Sequence, residues 1–438
     1  MRIRDVLAID FVLLFAVLIL TIFGILFIYS AGVYYGVETV STEYQRQTLW
    51  AIGAIILTIA LTVFDYRKLS EISLYFYIGI ILVLAYTCIW GRNVNGARRL
   101  IGIGILGIQP SEFSKVIVIV LLARYLDVTK RSQKQLLRLL IACFIVFVPM
   151  ALILRQPDLG TALVFFPILI SMIFIAGFYL RYVVFLVFFV LLTVCLTLLP
   201  HWEVIILGSE QPIFRFFTNT RFMQISIGSF LGIFVFALLG YLLYKKWYFY
   251  WIAYSALLSI FSLAASFVAY KILRPYQISR LIIFLDPNVD PRGAGWHIIQ
   301  SRTAIGSGGL FGKGYLKGTH SHYQYIPEQS TDFIFSIFSE EWGFIGGAAV
   351  FVLFFLVCFR LVQIMKSSSD TFGAYIVSGI TAMFLFHFLV NIGMTMGIMP
   401  ITGIPLFFMS YGGSALTSAM MGIGIASSIY IRRAEHLR

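Results

Sequence analysis

At 438 residues, 60% hydrophobic and 12% charged, the chain is too apolar for a soluble protein, in which about a quarter of the residues carry charge. Its apolar runs are long and continuous, unlike the roughly 10-residue alternating segments of an outer-membrane barrel, so an all-α polytopic membrane bundle is predicted. The net charge of +13 raises nucleic acid as a partner, but its distribution fits membrane orientation, and no nucleic-acid partner is expected.

Twelve apolar stretches, each near the ~17–25 residues of a membrane span, fall at about 9–30, 48–64, 72–90, 111–126, 138–154, 161–179, 181–199, 226–244, 248–273, 333–360, 371–399 and 411–432. The first is expected to be retained as a span, since no small-residue cleavage site follows it. With the N-terminus in the cytoplasm, the inner connections hold Arg67, Lys68, Lys130, Arg131, Lys134, Lys245, Lys246 and Arg432, while the short outer ones hold far fewer basic residues. This asymmetry places both termini inside and the polar segment 274–332 outside, as a large extracytoplasmic loop. The halves share no repeated motif, which weakens a duplicated-transporter reading, and no P-loop pattern is present. Cys88, Cys143, Cys195 and Cys358 lie in apolar runs and suggest neither a disulfide nor a metal knuckle.

The candidate functional residues come next in chain order. Asn95-Gly-Ala-Arg-Arg99 and Gln109-Pro-Ser-Glu-Phe-Ser-Lys115 occupy one outer connection and the helix start after it, with Pro110 as a start signal. Glu112 and Lys115 are three residues apart, hence on one face, where they can simply neutralise each other. Arg155-Gln-Pro-Asp-Leu-Gly-Thr161 is a short turn whose Asp158 also reads as a helix cap. Arg98, Arg99 and Arg155 oppose the positive-inside trend, and a phosphate or anionic head group would explain them.

Within 274–332, Trp296–Arg302 is expected to form a short amphipathic helix on the membrane surface. His320 and His322 form an isolated H-x-H, a pattern more often solvated than metal-bound. Thr331–Asp332 opens the tenth stretch, and a carboxylate at the lip of a bilayer suggests chemistry, although capping of the next helix explains it equally well. Asp332, Ser336, Ser339 and Glu340 make one polar face. His387, Asn391 and Thr395 make a second, and Ser410, Ser414, Thr417 and Ser418 a third. Hydroxyls on membrane helices are often inter-helix glue, whereas Glu340 needs a cavity or a partner. Together the faces predict a hydrated cleft open to the outside, with Asp332 at its mouth.

These motifs, with Asp290-Pro-Arg-Gly-Ala-Gly-Trp-His-Ile-Ile-Gln-Ser301 and Pro400-Ile-Thr-Gly-Ile-Pro-Leu-Phe-Phe-Met-Ser-Tyr-Gly-Gly-Ser414, resemble the SEDS family (shape, elongation, division and sporulation) over nearly the whole chain. The resemblance implies a glycosyltransferase that polymerises lipid-linked disaccharide (lipid II) into peptidoglycan at the outer face of the bacterial inner membrane. Thr402 stands where division-type members commonly have Lys, and Ile401–Pro405 reads like the elongation type. Leu100, Ser330 and Phe407 depart from residues common in the family (Trp, His and Pro). Typical members have ten spans, so two extra ones are expected as an insertion within 200–270. A class B penicillin-binding transpeptidase and other elongation proteins are the implied partners.

For that reaction an alcohol must lose its proton, and the resemblance together with position makes Asp332 the base, worth ~10²–10⁴-fold. Arg98, Glu112, Lys115, Asp158, Thr331 and Glu340 are expected around the substrate. Stabilisation of the leaving pyrophosphate is left open between Lys115, Arg98 and a divalent cation such as Mg or Mn. A lipid-precursor flippase and a non-catalytic scaffold of the wall-synthesis complex are the competing readings.

Overall fold

The structure, a computed structural model, describes residues 9–33, 41–94, 97–102, 107–132, 134–202, 219–273, 275–284, 286–291, 293–323, 325 and 328–433. Asn95 and Gly96 of the first motif, both chain ends and 203–218 of the expected insertion lie outside the described residues. The chain divides into two compact units, one of Met1–Gly177 with Trp296–Arg438 and one of Phe178–Gly295.

In the first unit, α1 (Phe11–Ala31), α2 (Glu43–Val63) and α3 (Arg67–Trp90) are joined to α4 (Pro110–Val128) through a two-stranded antiparallel hairpin. Its strands are β1 (Arg92–Val94) and β2 (Ala97–Leu100). Then follow α5 (Gln135–Arg155), α6 (Leu159–Leu163) and α7 (Phe165–Ile175). The second unit holds α8 (Leu180–Trp202), α9 (Thr220–Tyr244), α10 (Trp247–Ile272) and α11 (Pro275–Ile283), with α10 packed against both α8 and α9. The chain returns to the first unit through α12 (Ala294–Ser307) and α13 (Thr319–His322), and closes with α14 (Ile334–Ser367), α15 (Thr371–Thr395) and α16 (Gly413–Arg432).

All twelve expected stretches are helical, but the count of twelve spans is not reproduced. Among the described residues ten helices are long and apolar enough to cross a membrane. The other two differ for physical reasons: α4 carries Glu112, Lys115, Arg124 and Asp127, and Leu159–Ile175 is short.

The centre of the first unit is formed by α15 and α16, whose apolar windows are 72% and 78% buried within the protein. α16 packs on α2 and α4, and α15 packs on α4, α7 and α14. Apolar side chains such as Phe15, Leu49 and Tyr75 point outward from α1, α2 and α3, as a lipid-facing surface requires.

Charge marks one end of this unit. Arg360 binds Asp10 at 2.7 Å, Arg432 stands 3.6 Å from Asp65, and Arg67 stands 3.7 Å from Asp370. Tyr66 donates to Asp370 Oδ2 at 2.6 Å, and burial with that carboxylate beside it pushes the phenol up to about 12, so it stays protonated. The motifs identified in the sequence lie at the opposite ends of these helices.

The 274–332 segment is more structured than a loop. The helix expected on the membrane surface is α12, and it is instead wedged into the bundle. Ile298, Ser301 and Ala304 are fully buried, and Ser301 Oγ lies 2.6 Å from both Ser336 Oγ and the Thr395 carbonyl. The Ser336 hydroxyl is thus an inter-helix contact, whereas those of Thr395 and Thr417 bond carbonyls of their own helices.

Candidate functional site

Four features meet at this end: the start of α4, the turn before α6, the start of α14 and the last turns of α15. Between them runs a strap without regular secondary structure, residues 400–406, which enters α16 through the turn at 407–412.

Pro110 starts α4 and aims Glu112 and Lys115 inward. The Lys115 ammonium is completely enclosed, 2.7 Å from Glu112 Oε2 and 3.1 Å from His387 Nε2. An ammonium only donates, so Nε2 accepts, and the Nδ1 proton of a neutral imidazole then points at the Pro405 carbonyl 3.0 Å away. Phe407 stacks on the His387 ring at 3.7 Å and lies 5.2 Å from the Lys115 nitrogen. Lys115 is thus fully buried and held by its two partners.

Asp158 does cap a helix. It accepts from Thr161 N at 3.2 Å and Thr161 Oγ1 at 2.9 Å. It also accepts from Gln109 Nε2 at 2.8 Å, which ties the turn to the start of α4. Gln109 N donates to Ser414 Oγ at 2.9 Å, linking both to α16. Gly160 lies directly on the Thr402 carbonyl, leaving no room for a side chain.

Asp332 is half-buried just ahead of α14. The N-cap of α14 is Phe333, the residue after Asp332. Asn391, one turn beyond His387, donates from Nδ2 to the Asp332 carbonyl at 3.0 Å and to the Ile404 carbonyl at 2.8 Å. The strap is thereby pinned beside Asp332, and a Cβ on Gly403, whose φ is +69°, would lie 3.5 Å from Asp332 Oδ2. Tyr411 N donates to the Ser330 carbonyl at 2.9 Å, holding the other side of the same corner.

The remaining expected residues are placed differently. Thr331 adjoins Asp332 and donates to the Glu328 carbonyl at 3.1 Å. Arg98 is exposed on β2, with Nη1 2.9 Å from the Ile89 carbonyl, and Arg155 is exposed at the end of α5. Glu340 is fully buried, but its carboxylate receives Lys313 Nζ at 2.7 Å and the amides of Thr319 and His320 at 2.9 and 3.0 Å. It fastens the 313–321 segment.

His387 and Asn391 were expected only as part of a polar face lining the cleft, and Gln109 only as part of a motif, none of them as a residue around the substrate. The spacing of His387 and Asn391 on one helix face was the available signal, but their partners are backbone carbonyls that no motif marks.

A divalent cation finds no ready-made cage. Among the described residues no three His, Cys, Asp or Glu side chains gather as a metal site. Lys115 neutralises Glu112, and Gln109 and Thr161 occupy Asp158.

The fold and site define a multi-pass helical membrane protein with a carboxylate-centred polar corner at one end of its central helices. The FtsW/RodA/SpoVE cell cycle protein model matches residues 11–209 and 223–435. Peptidoglycan glycosyltransferase RodA of Treponema pallidum (strain Nichols) is 49% identical over 433 residues, covering 99% of this chain and 100% of that protein. Peptidoglycan glycosyltransferase MrdB of Escherichia coli (strain K12) is 32% identical over 82% of this chain and 78% of its own length. A solved chain from a peptidoglycan synthase complex that coordinates polymerization and crosslinking superposes with a TM-score of 0.67 at 25% identity, covering 98% of this chain and 99% of that one. The chain belongs to the FtsW/RodA/SpoVE family.

Proposed function

We propose that the protein is a peptidoglycan glycosyltransferase that polymerises lipid II into glycan strands during cell elongation. The full-length likeness to the Treponema pallidum RodA carries this reading, and the carboxylate corner around Asp332 gives it a mechanism. The acceptor's 4-hydroxyl oxygen attacks the donor's anomeric carbon as the bond to polyprenyl pyrophosphate breaks. Asp332 takes the hydroxyl proton, worth ~10²–10⁴-fold. Asn391 and the strap hold Asp332 in place, and the pair of Lys115 with Glu112 holds the strap through His387 and Pro405. Arg98 and Arg155, exposed at the same end, are assigned to the pyrophosphate, for which planar guanidinium forks are suited.

The site end faces the outside of the bacterial inner membrane and both termini face the cytoplasm, a reading supported by the bias of short-loop basic residues. A class B penicillin-binding transpeptidase is the proposed partner, in line with the synthase complex among the structural neighbours. A lineage-specific addition within 200–270 is part of the proposal, and the break in the family match between residues 209 and 223 supports it.

The test is purified protein in liposomes with fluorescent lipid II. Glycan chains digested by muramidase are the expected product. Movement of the precursor across the bilayer without chain formation would favour the flippase reading.

A further inference from the structure

α14 is broken inside its first half. Gly343 has φ 66° and ψ −160°, a conformation essentially confined to glycine, and the helical hydrogen bonds lapse around it. The released groups find partners in the segment after α12. Lys313 N and Gly314 N donate to the Glu340 and Glu341 carbonyls at 3.1 and 2.9 Å, and Phe344 N and Ile345 N donate to the Gly309 and Leu310 carbonyls at 2.9 and 3.2 Å. A stretch of the supposed outer loop therefore enters the bundle backbone-first.

Two fully buried carboxylates hold it there. Glu340 binds Lys313 Nζ, Thr319 N, Thr319 Oγ1 and His320 N, all within 3.1 Å. Glu341 accepts from Ser30 Oγ on α1 and from Leu316 N at 3.1 Å, with His322 Nε2 at 3.8 Å. Carboxylates at membrane depth are costly, and these are matched by donors from residues 313–320 together with Ser30 of α1. The half-helix Ile334–Trp342 carries Asp332 just ahead of its start and the two glutamates at its far end, about 12 Å along the axis.

We propose that Glu340 and Glu341 are positioning residues for Asp332. They clamp the inserted segment 309–321 to this half-helix, and the clamp fixes where the half-helix holds the base. The inference rests on the polymerase reading only for its catalytic consequence.

The test uses full-length protein without its four native cysteines and with Ser321→Cys, a position that is fully buried. This thiol should react slowly with a soluble maleimide, and much faster once Glu340→Ala is added. In the same preparations Glu340→Ala should lower kcat by about 10²-fold, the scale expected of a misplaced catalytic group, with KM little changed. Glu340→Gln, which keeps an acceptor but loses the pairing with Lys313, is the milder variant and should fall between. A disulfide between Thr319→Cys and Glu340→Cys should restore kcat when oxidised and lose it when reduced. Unchanged maleimide reactivity would refute the clamp. Faster labelling with wild-type kcat, or a kcat indifferent to the disulfide, would reduce it to a purely structural contact. Thiol reactivity reports the clamp even if the parent protein makes no polymer, so the two proposals fail separately.

Discussion

Lys115 is fully enclosed, and its charge is tolerable because Glu112 lies 2.7 Å and His387 3.1 Å away. Lys115→Ala should strand Glu112 as a buried, uncompensated carboxylate and cost ~3–5 kcal/mol, read as a lower melting temperature in detergent. Replacing both partners, with Glu112→Leu and Lys115→Met, should recover much of that stability but not polymerisation, because His387 would lose the contact that orients it. Recovery of activity as well would make the pair merely structural. Asn391 gives a cleaner separation, since its amide serves two backbone carbonyls and no charge is involved. Asn391→Ala should remove both bonds, at about 0.5–1.5 kcal/mol each, and reduce kcat more than it raises KM. These residues were only partly legible. The pairing of Glu112 with Lys115 follows from their spacing, but Phe407, noted only as a departure from a family proline, turns out to be the ring stacked on His387.

Among elements, α14 departs furthest from what its sequence announces. Its apolar run reads as one long span, yet Gly343 divides it, and the reason lies in a partner segment some thirty residues earlier. Helical periodicity reports which side chains share a face and is silent about a backbone that leaves the helix to bond elsewhere. The same blindness placed α12 on the membrane surface, although Ser301 bonds both Ser336 and the Thr395 carbonyl from inside the bundle. Gly343→Ala should force a side chain into a conformation that costs on the order of 1–3 kcal/mol even before its Cβ meets Leu310 and Gly312. A thermal scan of purified Gly343→Ala protein checks this, and a melting temperature equal to the parent's would contradict it.

At the scale of the whole molecule, hydropathy located every helix of the spans, because a bilayer demands long apolar runs whatever the tertiary packing. It was less able to count spans, since α4 carries its site residues within the helix and α6 with α7 is short. Orientation was read from charge alone. In intact spheroplasts, Lys317→Cys, which is exposed, should react with an impermeant thiol reagent, while Ser132→Cys, exposed at the opposite end, should react only after lysis. The reverse pattern would invert the protein and its proposed site.

The claim on which the rest depends is that Asp332 removes the acceptor's proton. Purified wild-type and Asp332→Asn proteins, matched for melting temperature and reconstituted with fluorescent lipid II, test it directly by the rate of glycan-chain formation. Asparagine keeps the size and the backbone bond to Asn391 but has no basic lone pair at working pH, so chains should form only with the wild type. Polymerisation by Asp332→Asn at the wild-type rate would contradict the assignment.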